Sequence, residues 1–155
     1  MAVIVFFLTI LTVSLPSVTQ NIEKSFLQNK AKGLYELFSE RSFINISLPE
    51  PISFSDQLSN QQAYFFFQRL FSSYSTFEFY PESQSFPPEA KNKYIFKARW
   101  SFKNKKNNNQ YVFYLSFYLK REITSASYSL PLDLLKADRQ NAKDWKIVEI
   151  KAEKI

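Results

Sequence analysis

Two neighbouring segments, residues 93–103 and 110–120, alternate apolar and polar side chains along their whole length. Successive side chains of a strand point to opposite faces of a sheet, so the alternation predicts two strands with one buried and one exposed face each. The pattern therefore requires a sheet that packs one side against a large apolar core. The positions predicted to face that core are Tyr94, Phe96, Ala98, Trp100, Phe102, Tyr111, Phe113, Leu115, Phe117 and Leu119.

The residues between these segments predict that the two strands form a hairpin. Residues 104–109 contain four asparagines, a residue type that tolerates left-handed backbone in turns. Pairing Phe102 with Tyr111 brings both apolar sets to the same side of the sheet. The same register places Arg99 beside Tyr114 on the other side, where we expect a cation–π contact. This outer face is predicted to carry Ile95, Lys97, Arg99, Ser101, Lys103, Tyr114, Ser116 and Tyr118.

The N-terminal half has the three- and four-residue apolar spacing that is typical of helices. Residues 21–39 are predicted to form an amphipathic helix with Asn21 as its N-cap. Ser59, followed three residues later by Gln62, predicts a capping box and a second helix that begins there. The apolar stripe of this second helix, interpreted as core, comprises Ala63, Phe65, Phe66, Phe67, Leu70, Phe71 and Tyr74.

Three shorter segments, residues 44–48, 76–80 and 145–152, also alternate and predict further strands. In the second of them we expect Phe77 and Phe79 to share one face. The third is predicted to place Val148, Ile150 and Ala152 on one side of the sheet. Together with the hairpin, these segments predict an antiparallel sheet that accompanies two helices.

The first twenty residues contain no charged side chain and are almost continuously apolar from Met1 to Leu15. This run is shorter than the ~20 residues that a membrane-spanning helix needs. It suits the apolar region of a secretory signal, with the small residues Ser17 and Thr19 near a cleavage point. No lysine or arginine precedes the run, so an uncleaved membrane anchor is one alternative, and a buried strand or helix of the domain is the other. We therefore expect residues 1–20 to be a signal peptide or anchor and residues 21–155 to be one exported domain, periplasmic or extracellular.

The composition excludes several kinds of chemistry. The chain has no cysteine and no histidine, which removes disulfides, thiolate or imidazole metal ligands, cysteine nucleophiles and Ser-His catalysis. A single glycine excludes a glycine-rich phosphate loop. No cofactor and no metal are expected, and no carboxylate occupies the predicted inner positions of the hairpin. The polar groups left for a ligand pocket belong to Tyr35, Tyr64, Tyr94 and Trp100.

The net charge of +6 is unevenly distributed along the sequence. Residues 21–85 contain five basic and seven acidic side chains, whereas residues 86–155 contain fifteen basic and seven acidic ones. A basic surface favours anionic partners such as lipid head groups, acidic glycans, nucleic acid or acidic proteins, although lysines also serve solubility alone. The predicted interface or anion-binding face carries Lys97, Arg99, Tyr114 and Tyr118.

The order helix, short strand, helix and hairpin-rich sheet is also the order of a known family. The similar stretches are Asn21–Phe38 (NIEKSFLQNKAKGLYELF), Ile44–Pro49 (INISLP), Ser59–Phe71 (SNQQAYFFFQRLF), Thr76–Phe79, Lys93–Lys120 and Trp145–Glu153 (WKIVEIKAE). They resemble a family of small exported bacterial proteins, domain of unknown function 4783, within the nuclear-transport-factor-two-like, or cystatin-like, superfamily. The chain departs from the family pattern at Pro81–Pro88 and in an insertion, Glu122–Lys143.

This resemblance implies an α+β fold in which a curved antiparallel sheet wraps two N-terminal helices as a cone. It also implies a Gram-negative, exported setting and no established catalytic residue. We expect a non-enzymatic binding or interaction domain, with a second copy, another protein or an apolar small molecule as partner. The alternative is an isomerase or cyclase of the same superfamily, which needs a polar group at the bottom of the cone.

A third hypothesis is binding of an anionic polymer or lipid through the basic hairpin. Export argues against nucleic acid as that polymer, and the affinity would fall steeply with salt. The residues predicted to carry it are Lys97, Arg99, Lys103, Lys105, Lys106 and Tyr114.

Overall fold

Three helices and six strands form the part of the chain that the structure, a computed structural model, describes: residues 15–83, 92–123 and 143–155. The helices are α1 (Leu15–Leu27), α2 (Ala31–Tyr35) and α3 (Asn60–Ser73). The strands are β1 (Ile44–Leu48), β2 (Phe54–Leu58), β3 (Tyr74–Pro81), β4 (Lys93–Asn104), β5 (Gln110–Ile123) and β6 (Lys143–Lys154).

The six strands build one curved, unclosed sheet in the order β2-β1-β6-β5-β4-β3. Neighbouring strands run antiparallel except β1 and β6, which are parallel. The helices pack against one side of this sheet, which we call the inner face, and the other side is the outer face. The predicted α+β class, with a sheet curved around helices, is confirmed.

The β4–β5 hairpin has the predicted register, with Phe102 opposite Tyr111 and Arg99 opposite Tyr114. All ten positions predicted to face the core are buried or half-buried. On the outer face, Ser101 departs from the prediction because it is buried rather than exposed. Its hydroxyl oxygen has no hydrogen-bond partner among the residues described.

The core joins the helices to the sheet through aromatic rings centred on Phe26 of α1. Its ring lies 5.2 Å from that of Trp100 and 5.7 Å from that of Phe117, both on the inner face. It also packs edge-on against Phe71 of α3, at 5.4 Å. Edge-to-face pairs at these distances are favourable beyond the area they bury. One side chain thus connects α1, α3 and two strands.

The prediction of one helix over residues 21–39 that begins at Asn21 is wrong. Helix α1 already begins at Leu15, and Asn21 lies inside it, where its carbonyl oxygen accepts a hydrogen bond from the Ser25 hydroxyl at 2.7 Å. The helix ends after Leu27, and Asn29 takes a left-handed backbone conformation (φ 51°) of the kind that terminates helices. Val18 is fully buried, so residues before position 21 contribute to the core.

The single glycine, Gly33, lies in α2 where it packs against Ser25 of α1. A Cβ atom built there would collide with the Ser25 Oγ atom. The backbone of Gly33 is not left-handed, so the need for glycine is steric rather than conformational.

Helix α3 begins with the predicted capping box. The Ser59 Oγ atom accepts a hydrogen bond from the Gln62 backbone N–H at 3.2 Å, and the Gln62 Oε1 atom accepts one from the Ser59 N–H at 2.9 Å. Ala63, Phe67 and Leu70 are buried as predicted. Phe65 does not belong to the buried stripe, because 54% of its surface is exposed to solvent.

Two β-bulges break the strict alternation on which the shorter strand predictions depended. In β3 the bulge falls between Thr76 and Glu78, so Phe77 turns outward while Phe79 is buried; the prediction that they share a face is wrong. In β6 the extra residue is Val148, between the pairs formed by Tyr118 and Leu119 of β5. Val148 is only half-buried, and the inner position goes to Ile147. A bulge inserts one residue and shifts the later side chains to opposite faces.

The insertion predicted at Glu122–Lys143 is shorter than expected. Strands β5 and β6 stay paired to their ends, with Glu122 opposite Asp144 and Ile123 opposite Lys143. Residues 124–142 lie outside the described residues, as do the rest of the proline-containing segment from residue 84 to 91 and the apolar segment 1–14. Cleavage or retention of residues 1–20 therefore stays a prediction.

Candidate functional site

The four residues predicted to line a ligand pocket do not lie together. Trp100 is packed inside the core, with its ring stacked on that of Phe102 at 3.9 Å. Its indole N–H donates a hydrogen bond to the Thr76 hydroxyl at 2.8 Å. These contacts place its ring and its N–H in the packing of the core.

The three tyrosines occupy two further places. Tyr94 is buried at the inner face, and its ring lies 6.4 Å from that of Trp145. Burial raises the pKa of the Tyr94 phenol above its ordinary value, because the ionised form loses hydration. Tyr35 and Tyr64 contact each other at 5.4 Å between α2 and α3, and Tyr35 is exposed. The predicted pocket is thus divided between the core and the helical surface.

A buried carboxylate that the sequence did not reveal lies at the end of β5. Glu122 accepts a hydrogen bond of 2.6 Å from the Ser39 hydroxyl, and both residues are buried. The Ser39 oxygen accepts the Ser42 backbone N–H at 3.0 Å. Close by, the Lys146 ammonium donates to the Glu36 carbonyl oxygen at 2.7 Å. These contacts fasten the segment after α2 to the sheet.

Sequence reasoning missed this cluster because Glu122 was assigned to an insertion rather than to a strand. Continuing the alternation of β5 through Ile123 puts Glu122 on the same side as the exposed Lys120, so the pattern alone would not have predicted that Glu122 is buried. The serine partner is 83 residues away, and no local pattern connects the two. No group of three or more carboxylates that could hold a metal ion occurs in residues 15–83, 92–123 and 143–155.

The structure brings the predicted interface residues together on the outer face. Arg99 lies between Tyr80 of β3 and Tyr114 of β5 in the cross-strand register, and Tyr114 lies opposite Glu153 of β6. One row across four strands therefore presents two tyrosines, one cation and one carboxylate. Tyr80 and Tyr114 are 58% and 45% exposed, which is high for aromatic side chains.

The next rows on the outer face repeat this mixture. Lys97 lies opposite Ser116, which lies opposite Lys151, and Ile95 lies opposite Tyr118, which lies opposite Glu149. The predicted contact of Arg99 with the Tyr114 ring is not among the cation–π pairs of the described residues. On this face Lys151 lies over a tyrosine instead, with its ammonium 5.4 Å from the centre of the Tyr118 ring.

Both charged strands of the outer face flank β5. The cations Lys97 and Arg99 lie on β4, whereas β6, two strands away, carries the carboxylates of Glu149 and Glu153 with Lys151 between them. Glu149 forms an ion pair of 2.9 Å with Lys151. The hydrogen bond and charge of Glu149 raise the pKa of the Lys151 ammonium above its ordinary value. The tyrosines of β5 lie between the two charged strands.

Comparison of the sequence with protein-family models and with curated proteins found no match. Solved structures share its fold. A DUF4783 family protein from Bacteroides uniformis superposes with a TM-score of 0.59 at 12% identity, over 88% of this chain and 95% of that one. A second from Bacteroides ovatus has a TM-score of 0.54 at 16% identity, over 87% and 93%.

A ketosteroid isomerase-like protein from Erwinia carotovora atroseptica has a TM-score of 0.61 at 8% identity, over 93% of this chain and 94% of that one. An NTF2-like protein from Rhodospirillum rubrum is also similar, with a TM-score of 0.58 at 8% identity over 92% and 98%. The chain therefore has the nuclear-transport-factor-two-like fold, in the form also found in DUF4783 proteins. Among the described helices, none combines the length and the hydropathy needed to cross a bilayer.

Proposed function

We propose that this protein is a non-enzymatic, exported binding domain that self-associates through the outer face of its sheet. The observation that carries this proposal is the tyrosine surface of β5, in which Tyr114 is nearly half exposed, with the cations of β4 on one side and the mixed charges of β6 (Glu149, Lys151 and Glu153) on the other. Exposed aromatic side chains with mixed polar surroundings are typical of the centres of protein interfaces.

A twofold axis near the middle of β5 would make this surface complementary to itself. Rotation by a half turn carries β4 of one copy over β6 of the other. In the cross-strand rows, Arg99 would then lie over Glu153 in both halves of the interface, whereas Lys97 would lie over Lys151, which is itself paired with Glu149. Tyr114 and Tyr118 would lie near the axis, where each can pack against its counterpart. Such pairing fixes the register of the two copies as well as attracting them.

The packing of the inner face supports the non-enzymatic part of the proposal. From Tyr94 to Phe102 and from Tyr111 to Leu119 its positions carry apolar side chains or tyrosines, and rings pack between the sheet and the helices. Farther along β5, the charged group beside this face is Arg121, a cation whose guanidinium lies 5.4 Å from the centre of the Trp145 ring and does not accept a proton. The buried carboxylate of Glu122 is already bonded to Ser39 at the end of the sheet. A proton-transfer enzyme needs such a group within reach of a bound substrate.

Export is the part of the proposal that depends on residues 1–20. Their uncharged, apolar sequence is typical of a secretory signal, and retention as a membrane anchor is the alternative. Because α1 begins at Leu15 and Val18 is buried in the core, we expect any cleavage to fall before α1 rather than after residue 20. In either case the domain would lie outside the cytoplasm, in the periplasm or beyond it.

The test of self-association is sedimentation velocity of the purified chain and of its Tyr114→Glu variant. We expect a dimer for the native chain and a monomer for the variant, because the substitution buries an unpaired charge at the interface centre. Gln61→Glu adds the same charge at an exposed position of α3 and should leave the dimer intact. A native chain that stays monomeric at all concentrations would contradict the proposal.

The second candidate function, an isomerase or cyclase, is favoured by the likeness to the ketosteroid isomerase-like protein, which shows the fold alone. It requires a cavity that an apolar ligand can enter beside the buried Trp100. Titration with a fluorescent apolar dye measures this directly, since the tryptophans would transfer energy to a dye bound inside. Saturable binding of one dye per chain would favour the enzyme and count against the filled interior.

A further inference from the structure

We infer that the helical side of the molecule, away from the sheet's outer face, binds an acidic oligosaccharide in a band of connected grooves. This site is separate from the proposed self-association surface and does not depend on it. The ligand class follows from the shape of the band, its charge and its side chains.

Three grooves cross the helices in succession. The first, of about 260 Å³, lies between α1 and α2; the second, of about 360 Å³, lies between α2 and α3; the third, of about 580 Å³, lies between α3 and β2. Lys30 and Lys32 line both the first and the second groove, and Gln68 lines both the second and the third. Because neighbouring grooves share lining residues, together they form one continuous band that suits a linear ligand.

Charge is segregated into this band. Residues 21–83 contain five basic side chains, and four of them line the band: Lys24, Lys30, Lys32 and Arg69. Of the seven acidic side chains in the same residues, Glu36 alone lines it. This half of the sequence is net acidic, so the concentration of cations in the grooves is not a consequence of composition. It creates a local positive potential that favours an anionic ligand.

These four cations are available to a ligand. All four are exposed, and the ion pair formed among the described residues is the one between Lys151 and Glu149 on the other side of the molecule. Arg69 presents a planar guanidinium, which binds a carboxylate through two parallel hydrogen bonds. The lysines of the first two grooves supply further point charges for successive carboxylates along a chain.

Aromatic and amide side chains in the same grooves favour a saccharide among anionic ligands. The Phe65 ring is more than half exposed and lies 5.3 Å from that of Tyr64, which forms a wall of the second groove. Exposed flat rings offer an apolar surface for the C–H face of a sugar. Gln28 and Gln68 supply amide donors and acceptors for hydroxyl groups.

The test is calorimetric titration of the full chain with a hexamer of galacturonic acid, with neutral maltohexaose and with hexameric oligothymidylate. We expect the acidic sugar to bind, its affinity to fall as salt rises, and the other two probes to bind at least about tenfold more weakly, a factor that corresponds to one lost charge-assisted interaction. Equal binding of maltohexaose, or tighter binding of the oligonucleotide, would overturn the inference.

Variants locate the site. Lys30→Gln with Lys32→Gln should weaken binding of the acidic hexamer about tenfold or more, since each ammonium contributes a charge-assisted hydrogen bond. Phe65→Ser should weaken it as well. The matched control, Lys120→Gln with Lys154→Gln, removes the same charge from exposed positions on strands β5 and β6 and should change the affinity less than about twofold.

The Tyr114→Glu variant separates this site from the proposed function. It should retain full binding of the acidic hexamer whether or not it abolishes self-association, because Tyr114 lies on the outer face of the sheet. If the control pair weakened binding as much as the groove pair, or if neither did, the ligand would not occupy the band and the inference would fail.

Discussion

The two faces of the β4–β5 hairpin differ in what their side chains do, although they alternate along the same strands. On the inner face, Phe113 is fully buried and packs against Trp100 at 6.0 Å. Its neighbour in sequence, Tyr114, is on the outer face and is nearly half exposed beside Arg99. The side chains of the inner face therefore stabilise the fold. The side chains proposed to bind partners lie on the outer face, where they can change without disturbing the core.

The largest effect expected from this difference concerns adjacent residues of β5. Phe113→Ala removes a fully buried ring and leaves a cavity, which should lower the free energy of unfolding by about 3–5 kcal/mol. Tyr114→Ala should lower it by less than about 1 kcal/mol in the dilute monomer, because its ring is already partly in water. Denaturant unfolding at low protein concentration measures both values. Equal losses of unfolding free energy at the two positions would contradict the proposed difference between the two faces.

The contrast between the faces was predictable from sequence where the alternation is long. Eleven residues in register leave one solution for the β4–β5 hairpin, because a slip of one strand by one residue would turn either Trp100 or Phe113 to solvent. The capping box at Ser59 was predictable for a similar reason, since two reciprocal hydrogen bonds need only two residue types at a fixed spacing.

The sequence predictions were wrong where the alternating pattern is too short to reveal one extra residue in a strand. A bulge after Thr76 changes the face of Phe77, and five residues of sequence cannot distinguish this from regular alternation. Phe65 fits the apolar stripe of α3 by spacing, but no element covers it, and only tertiary structure decides that. The band of grooves joins α1, α2, α3 and β2, so no sequence window contained it.

A second and smaller effect compares two buried hydroxyl groups, one at each face. The Thr76 hydroxyl satisfies the buried indole N–H of Trp100, so Thr76→Val should cost about 1–3 kcal/mol of unfolding free energy by leaving that donor unpaired. Ser101 is buried at the outer face, and its hydroxyl has no partner among the described residues. Ser101→Ala should therefore be neutral or stabilising.

Denaturant unfolding again supplies the measurement, with the near-ultraviolet circular dichroism of the tryptophans as a check that Trp100 keeps its environment. If Ser101→Ala proved as destabilising as Thr76→Val, a hydrogen-bond partner of Ser101 would exist, and the buried hydroxyls of the two faces would be equivalent.

The smallest effect is a pH dependence that distinguishes tyrosines of the two faces. Burial raises the pKa of Tyr94 above the ordinary tyrosine value of 10.0. As pH rises past about 10, the unfolded chain releases this proton first, so the contribution is fully present below that pH and is lost as pH rises through the folded pKa. Tyr94→Phe has no proton to release, and its unfolding free energy should therefore fall less steeply than that of the native chain between about pH 9 and 11.

Tyr114→Phe removes a hydroxyl from the exposed outer face and serves as the matched control. A slope for Tyr94→Phe identical to that of the native chain would mean that the Tyr94 phenol is in contact with water in the folded protein, and the inner face would then be less closed than its packing indicates.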